Sequence, residues 1–386
     1  MKSLPNNELG ADQRDWPAYM QQALDLAASV ISAVPNPRVG CVLFAENKVV
    51  GEGWHKAAGQ DHAEVMALKQ AGDKAKSSTA FVSLEPCAHT GRTGPCCDAL
   101  IEAGFSTVVI ASVDPNSKVA GKGIERMEAS GIEVFQLTDF DQLAKKINPG
   151  YFKRIAKGLP YVRCKMAMSL DGRTALANGE SKWITSAEAR SDVQKLRAAS
   201  SAVVTGIGTV LEDDPSMAVR KGELGFSEEE LERNSAALSV QPLRVIVDSR
   251  LRTPDAARIF EAEGNVIVFA QDQDGSEKNL AENVEIVKTG KGQQGLDLRF
   301  VLECLASDYS CSEVLVEAGS ELSGSFIREG LVDELVIYIA PKILGSDAKG
   351  LLDISGLESL SESLNFEILD VEAIGSDIRV RAIPRN

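Results

Sequence analysis

The chain has 386 residues, 44% of them hydrophobic, 25% charged and only 5% aromatic, which suits two globular domains of roughly 150–200 residues each and excludes a disordered or fibrous chain. Its formal net charge of −15, to which both halves contribute, argues against a polyanionic partner such as nucleic acid; an anionic ligand has to be held by local Arg, Lys or backbone N–H groups. Seven cysteines lack the spacing of a disulfide framework, no basic leader precedes an apolar run, and no stretch approaches about eighteen apolar residues, so a signal peptide and a membrane span are not expected and the cytoplasm is.

Residues 1–14 are polar and Asn-rich and are expected to be poorly ordered. From Trp16 to Val34 apolar residues recur at helical spacing until Pro35-Asn36-Pro37 stops the run. Val39–Phe44 and Lys48–Gly53 read as two strands around a turn at Glu46-Asn47. A short helix from His62 to Gly72 puts His62 in its first turn, and Thr79–Leu84 is a buried strand leading straight into Glu85-Pro86-Cys87. Cys96–Ala103 is a helix closed by Gly104; Val108–Ser112, Gly121–Ser130 and Ile132–Phe135 continue as strand, helix and strand. That order implies a three-layer α/β/α domain.

Asn148-Pro149-Gly150 and Gly158-Leu159-Pro160 interrupt the pattern, so the expected domains are 15–150 and 158–386. A second α/β series has strands at Tyr161–Met168, Ala202–Thr205, Leu243–Val247, Val266–Phe269, Glu313–Glu317 and Glu334–Ile339, with a closing pair near 365–383. Its helices fall near Ser186–Ala199, Leu298–Ala306 and Leu322–Glu329. The charged, Ser-rich stretch Lys221–Val240 reads as an insertion with a short helix.

His62-Ala63-Glu64, Pro86-Cys87 and Cys96 place one imidazole, two thiols and a lone carboxylate in the order a hydrolytic zinc site needs. Zinc held by three protein ligands keeps its fourth position for water, which then ionises near neutral pH. Zinc deaminases share a His-x-Glu…Pro-Cys-x-x-Cys signature in which the Glu carries protons and is not a ligand. Here the second cysteine comes nine residues after the first, not three. Cys96 opens a helix, whose positive end favours thiolate, and Glu64 sits two residues past His62, within reach of an attacking water. The competing interpretation is a closed structural site with Cys97 or His89 as fourth ligand, which spacing leaves open but which gives Glu64 no purpose. Cys41, Cys97, Cys164, Cys304 and Cys311 read as packed residues. The chain's three histidines, His55, His62 and His89, all flank the site, which makes His55 and His89 candidates for substrate contact.

The second half carries no Gly-x-Gly-x-x-Gly in dinucleotide-fold context. Gly206-Ile207-Gly208-Thr209 and Gly319-Ser320-Glu321-Leu322 each follow a strand and open a helix, where backbone N–H groups can meet phosphates; each alone is also an ordinary strand–helix turn.

Pro35-Asn36-Pro37-Arg38-Val39-Gly40, His62-Ala63-Glu64 and the run from Glu85 to Cys96 resemble the deaminase half of the bifunctional riboflavin-biosynthesis deaminase/reductase family. Ser169-Leu170-Asp171-Gly172-Arg173, Gly179 to Thr185, Asp213-Asp214-Pro215 and Val316-Glu317-Ala318-Gly319 resemble its reductase half. The resemblance implies a cytidine-deaminase-like amino-terminal domain and a dihydrofolate-reductase-like carboxy-terminal domain, with zinc and NADPH as cofactors. It also implies deamination of a diaminopyrimidinone bearing a phosphoribosylamino arm, then reduction of the ribosyl group to ribityl. It assigns zinc to His62, Cys87 and Cys96 and proton transfer to Glu64, and the long Cys-to-Cys step is a feature of the family. Implied substrate contacts are Asn36, His55, His89, Arg92, Ser181, Arg197, Arg220 and Glu317. Implied cofactor contacts are Ala167, Trp183, Thr209, Asp213, Ser249 and Gly319, Ser320, Glu321, Leu322, Ser323, Gly324 and Ser325. Lys165 and Asp171 lie near the motifs without an assigned role. A small-molecule phosphoribosyl-pyrimidine substrate, a homo-oligomer, and no nucleic-acid or membrane partner are expected. The alternative is a nucleic-acid or nucleoside zinc deaminase with an appended binding domain, which predicts a basic face and base-stacking aromatics.

Overall fold

The computed structural model describes residues 1–10, 13–88, 94–116, 120–180, 184–271, 280–292 and 295–385. The chain divides into two units, Met1–Lys157 with Ser227–Ser239, and Gly158–Phe226 with Val240–Asn386.

In the first unit the strands are β1 (Lys2–Leu4), β2 (Gly40–Ala45), β3 (Lys48–Trp54), β4 (Thr79–Val82), β5 (Thr107–Ile110) and β6 (Glu133–Leu137). The helices are α1 (Trp16–Ala28), α2 (Ala63–Ala71), α3 (Cys96–Glu102), α4 (Lys122–Ala129), α5 (Asp141–Ile147) and α6 (Pro149–Lys157). They build one sheet in the order β1-β6-β5-β4-β2-β3, with β2 antiparallel to β3 and β4 and the other pairs parallel. Each face carries its own apolar layer. Ala63, Ala67, Leu100 and Met127 pack on one side, and Met20, Leu24, Phe81 and Phe135 on the other, which is the α/β/α sandwich expected from the element order.

Small residues let the layers approach closely. A Cβ on Gly53 would lie 2.0 Å from the Ala63 carbonyl oxygen, and one on Gly51 would lie 2.3 Å from that of Ala67. The backbone of α2 therefore rests directly on β3, and this fixes the helix start that carries His62. Gly53→Ala should destabilise this unit by about 2–3 kcal/mol, because a backbone carbonyl cannot step aside as a flexible side chain can. A lowered midpoint in urea, with the second unit unaffected, is the expected observation.

Two expectations need correction. The polar amino terminus is not without structure: Lys2–Leu4 adds a parallel strand beside β6, with Lys2 opposite Phe135 and its ammonium 5.1 Å from that ring. Asn148-Pro149-Gly150 is a corner between two helices and does not end the unit. Pro149 opens α6, where its missing N–H costs nothing. The Asn148 amide meanwhile accepts from the Arg38 N–H and donates to the Arg38 carbonyl, both at 2.8 Å.

In the second unit, β7 (Tyr161–Ser169), β8 (Arg173–Ala175), α7 (Ala187–Ala199), β9 (Ala202–Gly206) and α8 (Ile207–Asp213) come first. The inserted helix α9 (Glu228–Arg233) follows, with a Ser227–Glu230 capping box, and belongs to the first unit. Then come β10 (Leu243–Val247), β11 (Val266–Gln271), β12 (Val284–Thr289), β13 (Lys291–Gly292), β14 (Gly295–Leu296), α10 (Leu298–Ser307), β15 (Glu313–Glu317) and α11 (Ser320–Arg328). The chain ends with β16 (Glu334–Ala340), β17 (Lys349–Gly350), β18 (Phe366–Ile374) and β19 (Asp377–Pro384). Nine strands form one sheet, β12-β11-β10-β9-β15-β7-β16-β19-β18, parallel from β12 to β16 and antiparallel in the closing pair. Strands β9, β10, β11 and β15 in the middle of the sheet are near-continuous apolar runs because helices or loops cover both faces. Strand β12 is absent from the sequence reading; it is an edge strand whose exposed Glu285 and Lys288 break up the half-buried Val284, Ile286 and Val287, so no regular alternation marks it.

Candidate active sites

Three segments bring the metal-binding side chains of the first unit together. His62 is the N-cap of α2, Cys96 is the first residue of α3, and Cys87 lies in the loop that leaves β4. His62 Nδ1 is 3.2 Å from Cys96 Sγ and 3.7 Å from Cys87 Sγ, and all three ligand atoms lie within 4.8 Å of one another. A tetrahedral ion about 2.3 Å from sulfur and about 2.05 Å from nitrogen sets N and S about 3.6 Å apart, so the donor set fits zinc. Among the described residues no fourth His, Cys or carboxylate joins this cluster. Cys97, one candidate for closing the site, is fully buried with its thiol donating to Asp98 at 3.7 Å. His89, the other candidate, lies outside the described residues, as does Arg92.

The two thiols share protons as a pair. Hydrogen bonding with Cys96 works against burial and lowers the Cys87 thiol to about 4, while the same contact and burial raise Cys96. One thiolate is thus already favoured at neutral pH before any cation enters.

Glu64 lies in the first turn of α2 and is 3% exposed. Burial raises its carboxyl above the ordinary glutamate value, and the negative charge at Cys87 adds to the effect. Such a carboxyl takes up and releases a proton more readily at working pH than a surface glutamate does. Beside it, His55 Nδ1 is 3.1 Å from the Asp61 carbonyl, which can only accept, so Nδ1 carries the hydrogen. Nε2 then accepts from the Asn36 amide at 3.0 Å. Burial lowers the pKa of this imidazole against the opposing hydrogen bond to Asp61, and its ring stands 4.8 Å from that of His62. Asn36 and His55 are therefore brought to the metal-binding cluster as one hydrogen-bonded pair.

Glu85 is a site residue that sequence reasoning missed. Its carboxylate accepts from the Asp114 N–H at 3.3 Å and the Gly121 N–H at 3.1 Å, tying the Cys87 loop to the chain beyond β5. The only signal was its place two residues before Cys87; partners 29 and 36 residues away are not readable from spacing.

In the second unit a cleft of about 1410 Å³ opens at the carboxyl ends of the parallel strands, where ligands bind in open α/β sheets. It is lined by Ala167, Arg197, Thr209, Asp213, Arg220, Ser249, Glu317, Gly319, Ser320, Glu321, Leu322 and Ser325, drawing together most of the residues singled out from sequence. Ser323 and Gly324 do not line it. The Ser323 hydroxyl is buried and donates to the Ala318 carbonyl, and Gly324 is pressed against the Asp353 carbonyl, where a Cβ would come within 2.4 Å. The α-helical period turns these two inward while their neighbours face the cleft. Ser181 and Trp183 lie outside the described residues.

At the floor of the cleft, Arg197 grips Glu317 with both arms, Nε to Oε1 at 2.6 Å and Nη2 to Oε2 at 3.0 Å. The Arg197 fork is thus committed to a carboxylate and is not held open for a phosphate. Arg220 is paired too, with Glu223 at 2.6 Å, but both are half-exposed, and a dianionic ligand can compete for such a pair. Lys165 lines the same cleft; burial lowers its pKa, and the nearby Glu317 charge opposes that. Asp171, by contrast, has a structural task. Hydrogen bonding from Ser169 and from the Leu344 and Gly345 N–H groups lowers it to about 2 and ties the β7–β8 turn to the chain after β16.

Burial alone would raise the Glu317 carboxyl, but the Arg197 guanidinium outweighs burial and holds it below the ordinary value. A lowered folded-state pKa gives stability that is present above the unfolded carboxylate value and is lost as pH falls through the folded one. The second unit should therefore lose stability on acidification below about pH 4. Glu317→Gln should flatten that part of the curve in urea titrations run at several pH values.

Residues 14–112 match the cytidine and deoxycytidylate deaminase zinc-binding region family, and residues 160–380 match the RibD C-terminal domain family. The riboflavin biosynthesis protein RibD of Escherichia coli strain K12 is 45% identical over 361 residues, covering 93% of this chain and 97% of that protein. The RibD protein of Haemophilus influenzae is also 45% identical, over 370 residues covering 95% and 97%. Among solved structures, Acinetobacter baumannii RibD (form 1) matches with a TM-score of 0.86 at 43% identity, covering 97% of this chain and 99% of that one. The diaminohydroxyphosphoribosylaminopyrimidine deaminase/5-amino-6-(5-phosphoribosylamino)uracil reductase of Thermotoga maritima matches with a TM-score of 0.82 at 31% identity, covering 97% and 100%. The expected fold class holds: a cytidine-deaminase-like first unit and a dihydrofolate-reductase-like second unit. The two families on one chain, and full-length relatives that pair them in the same order, place this protein in the RibD family of bifunctional riboflavin-biosynthesis enzymes.

Proposed function

We propose that the first unit hydrolytically deaminates 2,5-diamino-6-(5-phosphoribosylamino)pyrimidin-4-one to 5-amino-6-(5-phosphoribosylamino)uracil. The second unit then reduces the ribosyl group of that product to ribityl with NADPH. The observation that carries the proposal is the three-residue donor set of His62, Cys87 and Cys96 with a buried, non-ligating Glu64 beside it.

When bound, zinc supplies the Lewis acidity that makes water a nucleophile near neutral pH. Glu64 takes the proton of the attacking water and hands it to the departing amino group, so the ring C–N bond breaks and ammonia leaves. The Asn36–His55 pair, fixed in one tautomer, offers polar groups of set direction to the pyrimidine edge.

NADPH supplies the hydride for the second step. The carboxyl-end cleft has room for both the nucleotide and the sugar phosphate, and the N–H groups at the start of α11 together with Thr209 and Ser249 suit the nucleotide. Reduction at the anomeric carbon would open the sugar ring, and the ring oxygen released would need a proton. Lys165, beside Glu317 and Arg197, is the acid of the cleft floor that can give one.

A homo-oligomer belongs to the same proposal. Outermost strand β18 exposes Ile368, Leu369 and Val371, apolar side chains that a second copy would cover. No described helix is long and apolar enough to cross a membrane, and the acidic balance disfavours nucleic acid; we place the enzyme in the cytoplasm.

Zinc-replete protein given the diaminopyrimidinone phosphate should release ammonia without NADPH, and NADPH added afterwards should be consumed. A chelator should abolish the first step and spare reduction of pre-deaminated substrate. Failure of both steps in zinc-replete protein would overturn the proposal.

A further inference from the structure

We propose that Asn234 and Arg233, on the segment Ser227–Ser239, are positioning residues of the deaminase site and set the Asn36–His55 contact from outside it. The inference rests on the deaminase function proposed above for the first unit. The segment interrupts the second unit between Phe226 and Val240, yet it is folded into the first. Its short helix has only six residues and buries none of them; the segment's buried side chains are Leu238, past the helix, and the polar Asn234.

What holds the segment is specific. Asn234 is 3% exposed. Its Oδ1 accepts the Ile31 N–H at 2.7 Å, and its Nδ2 donates to the Glu230 carbonyl at 2.9 Å and to the Ser29 carbonyl at 3.4 Å. One buried amide therefore closes the end of α9 and clips the chain where it leaves α1. That stretch runs without helix or strand from Ser29 to Val39 and carries Asn36. It has no ladder of its own to fix it. Its ties are one turn, Asn36 N–H to the Ala33 carbonyl at 3.0 Å, and a set of side-chain clips: Asn148 on both backbone groups of Arg38, Arg38 on the Val30 and Ile147 carbonyls, Arg154 on the Pro35 carbonyl at 3.1 Å, and Asn234, which alone among these comes from the inserted segment.

The neighbouring residue reaches the other half of the contact. The Arg233 guanidinium lies over the Trp54 ring at 5.0 Å, and the Lys56 ammonium lies 5.6 Å from the same ring. Trp54 and Lys56 are the residues on either side of His55. Two consecutive residues thus hold the two stretches that meet where Asn36 donates to His55, whose ring stands 4.8 Å from that of His62. A displacement of about 1 Å in a group that orients substrate can cost about 10²-fold in rate, so clips of this kind act on catalysis without touching substrate.

The test compares steady-state ammonia release by the full-length zinc enzyme and its Asn234→Ala, Arg233→Ala and Arg233→Lys variants. Zinc content and reduction of pre-deaminated substrate are measured alongside. We expect Asn234→Ala to lower deaminase kcat/KM roughly 10-fold, mostly through a raised KM. Zinc stoichiometry and reductase kinetics should match the parent. Arg233→Ala should fall in the same direction, and Arg233→Lys, which keeps a cation over Trp54, should recover most of the loss. Parental deaminase kinetics in both alanine variants would overturn the inference, even if their melting temperatures drop, because that is how a merely structural clamp behaves. Loss of zinc in step with activity would overturn it as well. If Asn234→Ala does not fold, the Arg233 pair decides: a loss restored by lysine supports the inference, and no loss refutes it. A parent enzyme that releases no ammonia would instead refute the deaminase function itself, and the inference with it.

Discussion

Glu64→Gln should lower ammonia release by at least about 10³-fold while leaving zinc bound and the reductase step intact. Glutamine keeps the shape and the burial of the side chain but can neither accept the proton of the attacking water nor pass one to the leaving nitrogen. The ligand atoms belong to His62, Cys87 and Cys96, so metal content should not change. Burial and the Cys87 charge raise the carboxyl, which suits a group that takes up and gives back a proton during the reaction. Mass spectrometry under native conditions for zinc, with an ammonia assay on the same sample, checks both halves of the statement. Substantial ammonia release by a zinc-loaded Glu64→Gln protein would remove Glu64 from the mechanism.

The second large effect is expected at the reductase cleft. Arg197→Ala should destabilise the second unit by about 3–5 kcal/mol, because Glu317 would be left as a buried carboxylate without its cation. The side chains of the pair are 11% and 8% exposed, so the guanidinium, and not water, is what meets the carboxylate in the intact protein. A melting temperature lower by roughly 10 °C is the corresponding observation for a unit of this size. Glu317→Gln should destabilise the unit too, since it leaves the Arg197 guanidinium buried without its counter-charge, although the glutamine oxygen can still accept one of its hydrogen bonds. It should still cost reductase activity, because the carboxylate lines the cleft beside Lys165. A folded Glu317→Gln protein that reduces substrate at the parental rate would mean that the pair serves the fold and not the cleft.

The zinc site was legible because its chemistry is local. His62, Glu64 and Cys96 belong to helix starts that glycine and proline punctuation marks, and Cys87 follows a strand that reads as buried. The buried strands of the second unit were legible for the same reason: runs such as Leu243–Val247 and Glu313–Glu317 are continuous and short. What could not be read is the pairing of distant groups. Arg197 and Glu317 were both implied substrate contacts, but nothing in the sequence says that the two, 120 residues apart, grip each other. The stretch Lys221–Val240 reads as an insertion with a short helix, and within it Ser227–Ser239 joins the first unit, but nothing in its composition says that Asn234 finds Ile31, 203 residues earlier. Carrying a contact run from Gly319 to Ser325 onto α11 also overshot, since one helix face cannot present seven consecutive residues to a cleft. The strand Lys2–Leu4 escaped notice because three residues beside polar neighbours carry no measurable alternation.

The most direct test of the two-step function follows isotopes into a single product. The diaminopyrimidinone phosphate is converted in water enriched in oxygen-18, with NADPH dideuterated at nicotinamide carbon 4, and the product is fragmented in a mass spectrometer. Hydrolytic deamination followed by reduction predicts one heavy oxygen in the pyrimidine fragment and one deuterium in the ribityl fragment. A pyrimidine fragment without heavy oxygen would contradict hydrolytic deamination in the first unit. A sugar fragment without deuterium would contradict hydride delivery in the second.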